Sequence, residues 1–414
     1  MRLVSPNHRP GQRPPRGARF LFYTNECVGL GHLRRTLNLA EAVTSRDPGS
    51  SALIITGSSA ALGEDRHGRI DIVKLPELAR DAGGDLHAAR LGMATNHLHD
   101  LRAHLAFAAA ETFAPSVVVV DKTPLGLNDE LVPTLEALRA KRTKIVLGLR
   151  DIEDAPDAVR DRWVGANLRE PINRLYDGVL VYGPDAGAQD ALSCMGWDDL
   201  DVPIHHVGYV GAPVADQPSM DLATGYLLVT AGGGVDGAPI FDAVLSALEH
   251  QQITYPTVMV TGPLMPRVDR DRIADRASRL GVRHFDFRPD MGAVITGARA
   301  VVTMAGYNTV AEVVRAGKPA LLLPRTGPSQ EQLVRAVTLC DAGAAMMVLP
   351  EHASPIRMRT ALDELFARPP TSVDLTQHDG AQVAAEILCG MAREVGGSTQ
   401  TDFDVALEAV GAGR

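Results

Sequence analysis

Cysteine and aromatic residues are scarce in this chain of 414 residues. Its four cysteines, Cys27, Cys194, Cys340 and Cys389, lie far apart in the sequence. Their spacing argues against a zinc knuckle or a disulfide framework and favours a reducing cytoplasm. Aromatic residues make up 4% of the chain, too few for a protein that holds bases or sugars mainly by stacking.

Long apolar runs and an excess of basic charge are also missing. No run approaches the roughly 20 residues that cross a bilayer, and the N-terminus has no apolar stretch of the signal type. Lys and Arg number 41 against 50 Asp and Glu, and the net charge of -9 disfavours a nucleic-acid partner. We therefore expect a soluble, acidic, cytoplasmic protein, and an enzyme fits this profile best.

Short apolar runs alternate regularly with amphipathic stretches of helix length, which predicts an α/β architecture with parallel sheets. One series of strand-like runs extends from residue 20 to 207 and a second from 226 to 349. Residues 208–219, rich in Gly and Pro, separate the two series as a linker would. Ligands of two such doubly wound domains are expected in the cleft between them, at the carboxyl ends of the strands.

Composition also predicts where the domains begin and end. Residues 1–17 combine four arginines with four prolines, which is typical of a flexible basic arm, and Gly-Gly-Ser-Thr at 396–399 predicts that the chain loosens there. The predicted parts are a flexible arm at 1–17, an N-terminal domain at 18–215, a C-terminal domain at 216–367, a helical segment at 368–395 and a loose tail at 396–414.

A glycine-rich turn follows the first predicted strand. It reads NECVGLGH over residues 25–32, and a helix is predicted directly after it. Glycines let a ligand approach the backbone closely, and a helix start offers unpaired N–H groups. His32 in this turn is a candidate general base near neutral pH, while a role in capping the helix or ordering the loop is equally open.

Two similar turns follow strands of the second half. Residues 226–230 run into Gly232, Gly233 and Gly234, and residues 300–303 run into Gly306. Each turn places backbone amides and the positive end of a helix at the carboxyl edge of the sheet. Single turns of this kind are commonplace and often structural, but the pair predicts a diphosphate held without metal.

Two further features of the second half could bind hydroxyl groups. Glu312, one turn into the second of these helices, could accept hydrogen bonds from a ribose. Residues 324–332 (PRTGPSQEQ) form a polar loop leading into a helix. The same loop could be an N-capped helix in which Ser329 is the cap and Gln332 completes a capping box, and both interpretations can hold together.

Several motifs together resemble the family 28 glycosyltransferases. They are residues 29–35 (GLGHLRR), 306–312 (GYNTVAE) and 317–320 (GKPA) with Pro324 and residues 331–332. Less characterised bacterial members share the opening GLGHLRR, a segment beginning at Asp121, and GLRDI at 148–152. The resemblance covers about residues 19–367. It implies the GT-B fold, in which two Rossmann-like domains face each other across a cleft, and an inverting transfer of a sugar, such as one of N-acetylglucosamine type.

The resemblance also implies the partners and the site residues. The donor would be a nucleotide-diphosphate sugar, UDP-linked by family analogy, and the acceptor an unidentified hydroxyl compound; no cofactor or metal is required, and a peripheral contact with a membrane stays open. Donor-side residues carried over by motif are Gly232, Gly233, Gly234, Arg288, Gly306, Tyr307, Asn308, Thr309, Glu312, Glu331 and Gln332. Acceptor-side residues are Gly29, Gly31, Arg34, Arg150 and Asp151.

Roles within the donor site follow from the same resemblance. The backbone at Arg288 would face the nucleobase, residues 306–309 would receive the diphosphate, and Glu331 with Gln332 would bind the sugar hydroxyls. The cell-wall N-acetylglucosaminyltransferases of this family carry two glutamines where this chain has Glu331 and Gln332, which leaves the donor sugar open.

The implied mechanism is a direct displacement that needs a base. His32 is the first candidate, and Glu26 and Asp121, at the carboxyl ends of neighbouring strands, are the reserves. Two alternatives stay open at this point: a UDP-sugar epimerase of the same architecture, and a non-catalytic binder of nucleotide sugars.

Overall fold

A computed structural model describes residues 17–24, 31–62, 68–81, 86–184, 200–250, 255–370 and 379–411. Several predicted features lie outside these residues: positions 1–16 of the basic arm, Glu26, Cys27, Gly29 and Cys194. Among the described residues, no helix combines the length and apolar character needed to cross a membrane.

The first half of the chain builds a parallel sheet. The elements are β1 (Arg19–Thr24), α1 (Gly31–Arg46), β2 (Ser51–Thr56), β3 (Ile70–Lys74), β4 (Leu78–Arg80), β5 (Leu86–Ala88), α2 (Thr95–Phe113), β6 (Val117–Asp121), α3 (Val132–Ala140), β7 (Lys144–Arg150), α4 (Pro156–Gly165), α5 (Arg169–Leu175), β8 (Gly178–Tyr182) and β9 (Ile204–His206). The sheet order is β3-β2-β1-β6-β7-β8-β9, and β4 and β5 form a separate antiparallel hairpin.

The second half builds another parallel sheet, in the order β12-β11-β10-β13-β14-β15. The elements are β10 (Tyr226–Thr230), α6 (Ala238–His250), β11 (Thr257–Val260), α7 (Arg267–Arg279), β12 (Arg283–Phe285), α8 (Met291–Gly297), β13 (Ala298–Thr303), α9 (Tyr307–Arg315), β14 (Ala320–Leu322), α10 (Glu331–Asp341), β15 (Met346–Met347), α11 (Pro355–Ala367) and α12 (Gly380–Gly411). The predicted α/β class with two doubly wound parallel sheets is confirmed.

Apolar, β-branched runs explain why the central strands form where they do. Every residue of β6 and of β8 is buried, as expected of strands covered by helices on both faces. The β4–β5 hairpin was not predicted, because strands of three residues are too short to show an alternating pattern.

The C-terminal helix α12 returns to the first domain. Its apolar face, including Ala384, Ala385 and Leu388, is buried in the same core as Phe20 of β1. Two ion pairs add to this contact: Arg46–Glu386 at 3.0 Å and Lys144–Glu394 at 3.0 Å. The first domain is therefore completed by a helix that follows the second domain in sequence.

The same helix continues to Gly411, past the point where the sequence predicted a loose tail. Glycine costs about 1 kcal/mol relative to alanine inside a helix, and Gly390, Gly396 and Gly397 lie within a run that has no proline. The Gly-Gly-Ser-Thr stretch is therefore expected to weaken the helix without ending it, and the loose tail stays a prediction.

One glycine of β7 is required by close packing. A Cβ on Gly148 would lie 1.9 Å from the hydroxyl oxygen of Tyr182 on the neighbouring strand. We expect Gly148→Ala to lower the free energy of unfolding by at least about 2 kcal/mol, because neither strand can move without disturbing the sheet. Urea unfolding followed by circular dichroism measures this.

The matched control is Gly165→Ala at the end of α4. A Cβ there meets nothing within 4 Å among the described residues, so this substitution should leave the unfolding midpoint unchanged or raise it slightly. Equal midpoints for Gly148→Ala and wild type would contradict the packing argument.

Candidate active site

A histidine and a carboxylate meet at the carboxyl edge of the first sheet. His32 lies in the first turn of α1, and Asp121 ends β6, the strand paired with β1. His32 Nδ1 is hydrogen-bonded to Asp121 Oδ2, and the histidine side chain is 16% exposed. A carboxylate that accepts the Nδ1 proton makes Nε2 the basic nitrogen, which is the arrangement a general base needs.

Arg35 completes this cluster from the next turn of α1. Its guanidinium donates to the two carboxylate oxygens of Asp121 at 2.8 and 2.9 Å and lies 2.8 Å from His32 Nδ1. Burial alone would raise the pKa of Asp121, but the charges and hydrogen bonds of Arg35 and His32 outweigh burial and lower it to about 2. Asp121 is therefore a carboxylate at neutral pH.

The glycine turns of the second domain lie side by side. β10 and β13 are neighbouring parallel strands, with Thr230 paired to Thr303. A Cβ on Gly232 would lie 3.2 Å from Thr309 Oγ1, whereas a Cβ on Gly306 would meet no described atom within 4 Å. The start of α9 thus faces open space beside the first glycine turn, where its amides and dipole favour an anion.

The first glycine turn is less open than its sequence suggests. The amide of Gly232 donates to Thr230 Oγ1 at 3.4 Å, and that of Gly234 donates to the Ala231 carbonyl at 3.2 Å. These two amides are therefore not bare, contrary to the prediction. They close a turn in which both glycines have positive φ, and α6 begins only at Ala238.

An ion pair joins the loops on either side of α9. Arg325, after β14, donates to Asp236, in the loop after β10, at 2.7 Å. Because β13 lies between β10 and β14 in the sheet, this pair joins the two loops on either side of the loop after β13. The Arg325 amide is held by Gln332 Oε1 at 3.0 Å, which fixes the polar loop. A cation is thus placed beside the predicted diphosphate site.

Candidate residues of the two domains touch directly. Asn308, in the first turn of α9, donates to the Gly31 carbonyl at 3.1 Å. Glu312, one turn later, lies 3.8 Å from the guanidinium of Arg34. Burial raises the pKa of Glu312, and the charges of Arg34 and Arg315 offset this only in part. The predicted ribose-binding residue therefore lies where the two domains meet. We call this contact region, which includes Gly31, Arg34, Asn308 and Glu312, the seam.

A second cross-domain group surrounds Arg150. Arg150 Nη1 lies 2.7 Å from Glu331, and Nη2 lies 3.2 Å from Glu153, which also pairs with Lys122 at 3.3 Å. Burial opposes ionisation of Glu331, but Arg150 and Arg335 lower its pKa below the usual value. Because Glu331 is a carboxylate rather than an amide, it needs these cations once it is buried.

Arg335 of α10 forms the most buried of these contacts. Its side chain is fully enclosed and bonds Asp151 of the first domain at 2.9 and 3.1 Å. It also donates to the carbonyls of Ala305 and Ile152 at 2.9 and 3.2 Å. Every N–H of a buried guanidinium needs such a partner, so this residue fixes how α10 sits on the first domain.

Arg288 lies at the far side of the second sheet. Its guanidinium bonds Asp221 at 2.7 Å, Asp290 at 2.8 Å and Ser219 Oγ at 2.8 Å, and it stacks 4.9 Å from the ring centre of Phe285. These bonds lock the linker to the loop after β12. The side chain is therefore structural here, which leaves only its backbone for the predicted contact with a nucleobase.

The predicted capping box at Ser329 is wrong. α10 begins at Glu331, and its N-cap is Gln330, whose amide donates to Asp154 of the first domain at 2.8 Å. Ser329 Oγ accepts from the Glu331 amide at 3.3 Å. Gln332 is unavailable to complete a box because its side-chain oxygen accepts from Arg325.

Part of the second half matches a known protein family. Residues 227–386 match the model of the glycosyltransferase family 28 C-terminal domain. We refer to the second half of the chain, which contains this match, as the family 28 domain. The family 28 domain contains both glycine turns, Glu312, Arg325 and the residues of α10 described above.

Curated relatives match about a third of the chain. A UDP-N-acetylglucosamine--N-acetylmuramyl-(pentapeptide) pyrophosphoryl-undecaprenol N-acetylglucosamine transferase of Leuconostoc mesenteroides is 31% identical over 154 residues, which are 36% of this chain and 42% of the relative. The corresponding transferase 1 of Bacillus cereus is 32% identical over 139 residues, 33% of this chain and 38% of the relative. Each match thus spans less than half of the relative.

Solved structures match over nearly the whole chain. The MurG protein of Acinetobacter baumannii has a TM-score of 0.57 at 14% identity, covering 91% of this chain and 99% of that one. A Medicago truncatula protein complexed with UDP-glucose has a TM-score of 0.58 at 12% identity, covering 92% and 99%. At these identities the likeness establishes the fold, and the predicted GT-B architecture is confirmed.

The structure brings most predicted residues to one seam. Of the acceptor-side set, Gly31, Arg34, Arg150 and Asp151 all contact the family 28 domain. Sequence reasoning missed Arg35, Arg325, Glu153 and Arg335. The only signal for Arg35 was its spacing of three residues from His32 on one helix face; the others depend on partners distant in sequence.

The lowered pKa of Asp121 predicts a specific acid sensitivity. A carboxyl whose folded pKa, about 2, lies below its ordinary 3.8 stabilises the fold above about pH 4 and loses that effect as the pH falls toward 2. We expect the loss of unfolding free energy between pH 5 and 2 to be about 2 kcal/mol smaller in Asp121→Asn than in wild type. Urea titrations at several pH values measure it.

A control carboxylate separates this effect from general charge. Asp157 of α4 has a side chain that is 94% exposed, so Asp157→Asn should reproduce the wild-type pH dependence. An Asp121→Asn curve parallel to wild type would contradict the assigned pairing.

Proposed function

We propose that this protein is an inverting glycosyltransferase that moves a sugar from a UDP-sugar to a hydroxyl acceptor. The family 28 domain would hold the donor, and the first domain would supply the base. The enzyme class, the donor and the direction of the stereochemistry all belong to this proposal, since the relatives align over less than half of their length.

One contact carries the proposal. Gly31, which precedes His32, accepts a hydrogen bond from Asn308 in the first turn of α9. The helix end that suits a diphosphate and the histidine that suits a general base therefore adjoin across the seam. A transferase needs its diphosphate site and its base to lie close together, because the anomeric carbon next to the leaving diphosphate must be within reach of the activated hydroxyl.

The mechanism follows from these positions. His32 Nε2 takes the proton of the acceptor hydroxyl, whose oxygen attacks the anomeric carbon from the face opposite the diphosphate. The bond from that carbon to the diphosphate oxygen breaks, its electron pair stays on the oxygen, and UDP leaves. Asp121 stabilises the imidazolium, while the start of α9 and Arg325 stabilise the charge that develops on UDP.

The closed seam implies that donor binding separates contacts between the domains. Glu312 faces Arg34, and Glu331 faces Arg150. In the proposed complex the ribose and the sugar hydroxyls take these carboxylates as acceptors. Part of the binding energy is then used to open the two ion pairs.

The base assignment predicts a separation of chemistry from binding. His32→Ala should lower the rate of sugar transfer by about 10²- to 10⁴-fold, because a positioned base contributes that much. UDP affinity should stay within about twofold of wild type, since the imidazole is bonded to Asp121 and not to the donor site. Release of UDP with a panel of hydroxyl acceptors, and calorimetry with UDP, measure the two quantities.

His250→Ala, at the exposed end of α6, is the matched histidine control and should transfer sugar at the wild-type rate. Full activity of His32→Ala would remove His32 as the base. A changed sugar still attached to UDP, with no UDP released, would instead indicate an epimerase.

The donor assignment predicts which part of UDP each residue binds. Glu312→Ala should weaken binding of UDP and of uridine alike, by about tenfold, because it would remove an acceptor for ribose hydroxyls. Arg325→Gln should weaken UDP but leave uridine unchanged, since its charge would face the diphosphate. Thermal shifts with uridine, UMP and UDP distinguish these cases; equal losses in both variants would contradict the assignment.

A further inference from the structure

Arg35 lies between aromatic rings of both domains. Its guanidinium carbon is 5.1 Å from the ring centre of Tyr182, on β8 of the first domain, and 5.2 Å from that of Tyr307, at the start of α9. The arginine is 1% exposed. Cation–π contacts of this kind strengthen when the cation is desolvated, so both rings help to hold Arg35.

Tyr307 is itself fixed to the seam. Its hydroxyl oxygen accepts a hydrogen bond from the Val210 amide at 2.9 Å, and its ring meets that of Tyr209 edge-on at 5.7 Å between centres. The next residue along the chain, Asn308, contacts Gly31. The contact between Tyr307 and Arg35 of the first domain therefore depends on the position of α9, the helix assigned to the diphosphate.

We propose that Arg35 is a positioning residue that makes the His32–Asp121 pair depend on the seating of the family 28 domain. The proposal rests on the proposed function, in which His32 is the base. It extends that function, because the base would be held correctly only while the Tyr307 ring contacts the Arg35 guanidinium.

The physical argument concerns the bonds available to Arg35. The guanidinium donates to both oxygens of Asp121 and also lies within bonding distance of His32 Nδ1, the nitrogen that Asp121 engages. Nδ1 cannot donate to Asp121 and accept from Arg35 at once, so the position of Arg35 decides which contact prevails. The contacts with the rings of Tyr182 and Tyr307 help to keep the guanidinium directed at the carboxylate.

Separation of the domains would remove one of these two constraints. Without Tyr307, the contacts of Arg35 that remain among the described residues include those with Tyr182, Asp121 and His32. The guanidinium could then move from its place beside Asp121 and His32. Renewed contact of Tyr307 with Arg35 would restore it, so that the base is assembled only while the family 28 domain is seated on the first domain.

Several charged groups act on His32 and Arg35. Asp121, Arg35 and Glu153 act electrostatically on His32, and Arg150 also acts on Arg35. Removing Arg35 takes away a cation next to the imidazole while Asp121 and Glu153 stay. The protonated imidazole should then be favoured.

The experiment follows the His32 imidazole by NMR during a pH titration, with ¹⁵N-labelled histidine and the full chain. Arg35→Met should move the titration midpoint up by about one pH unit or more, a tenfold gain in proton affinity. Tyr307→Leu should move it in the same direction by a smaller amount, although the substituted side chain belongs to the other domain. Tyr307→Phe keeps the ring and should not move it.

Tyr255→Leu is the control for losing a partly buried tyrosine ring. Tyr255 stacks on Phe366, 4.2 Å between ring centres, within the family 28 domain and away from Arg35. It should leave the His32 titration unchanged. If Arg35→Met does not fold, Arg35→Lys, which keeps the charge but cannot make the same paired bonds, and Tyr307→Leu decide the question.

Kinetics supply a second readout. In the Tyr307→Leu enzyme, kcat should fall and the acid limb of the pH–rate profile should move with the NMR midpoint. An unchanged titration in both Arg35→Met and Tyr307→Leu would overturn the proposal. A shift in Arg35→Met alone would overturn its dependence on the second domain.

These outcomes are distinct from failure of the proposed function. The NMR titration needs neither donor nor acceptor, so it tests Arg35 and Tyr307 even if no sugar transfer is found. Conversely, transfer that persists in His32→Ala would refute the base while leaving the measured coupling intact.

Discussion

Charge pairing across the seam constrains the whole molecule. The carboxyl edges of two parallel sheets face each other here, and both edges carry arginines and carboxylates that are buried by the contact. Removing one partner of such a pair costs several kcal/mol, because the other charge is left without compensation. The relative placement of the two domains is therefore set by which charges can meet, and Arg335 with Asp151 is the most enclosed example.

The seam also accounts for a departure from the family pattern. Where the related cell-wall enzymes carry two neutral amides, this chain has Glu331 followed by Gln332. A carboxylate at this buried position requires a cation, and Arg150 of the first domain supplies it at 2.7 Å. Glu331, which we propose to bind the sugar, is consequently tied to the first domain by charge.

The fold was predictable from sequence to the extent that it follows from local patterns. Buried strands such as β6 are runs of β-branched residues, and the turns after β1, β10 and β13 are marked by glycine. Asp121 was found because it ends a strand, and His32 and Asn308 because each lies next to a glycine turn that follows a strand. The capping box at Ser329 failed because a tertiary contact, the Arg325 amide, took the side chain of Gln332.

What could not be predicted depends on contacts between distant segments. Arg35, Arg325 and Arg335 look like ordinary charged helix or loop residues until their partners, 86, 89 and 184 positions away, are known. The docking of α12 on the first domain belongs to the same class, because its apolar face could have covered either sheet.

Because α12 packs on the first domain, the two domains, or lobes, are connected by the chain at two places. The chain crosses from one lobe to the other twice, once near residue 210 and once between α11 and α12, so a contiguous piece ending near residue 215 is not an autonomous unit: it leaves the face of β1 and α1 uncovered. The two crossings lie side by side, because a Cβ on Gly380, the first residue of α12, would overlap the carbonyl oxygens of Gly208 and Tyr209. Both connections therefore pass through one region, and a rotation of one lobe about that region would keep them intact.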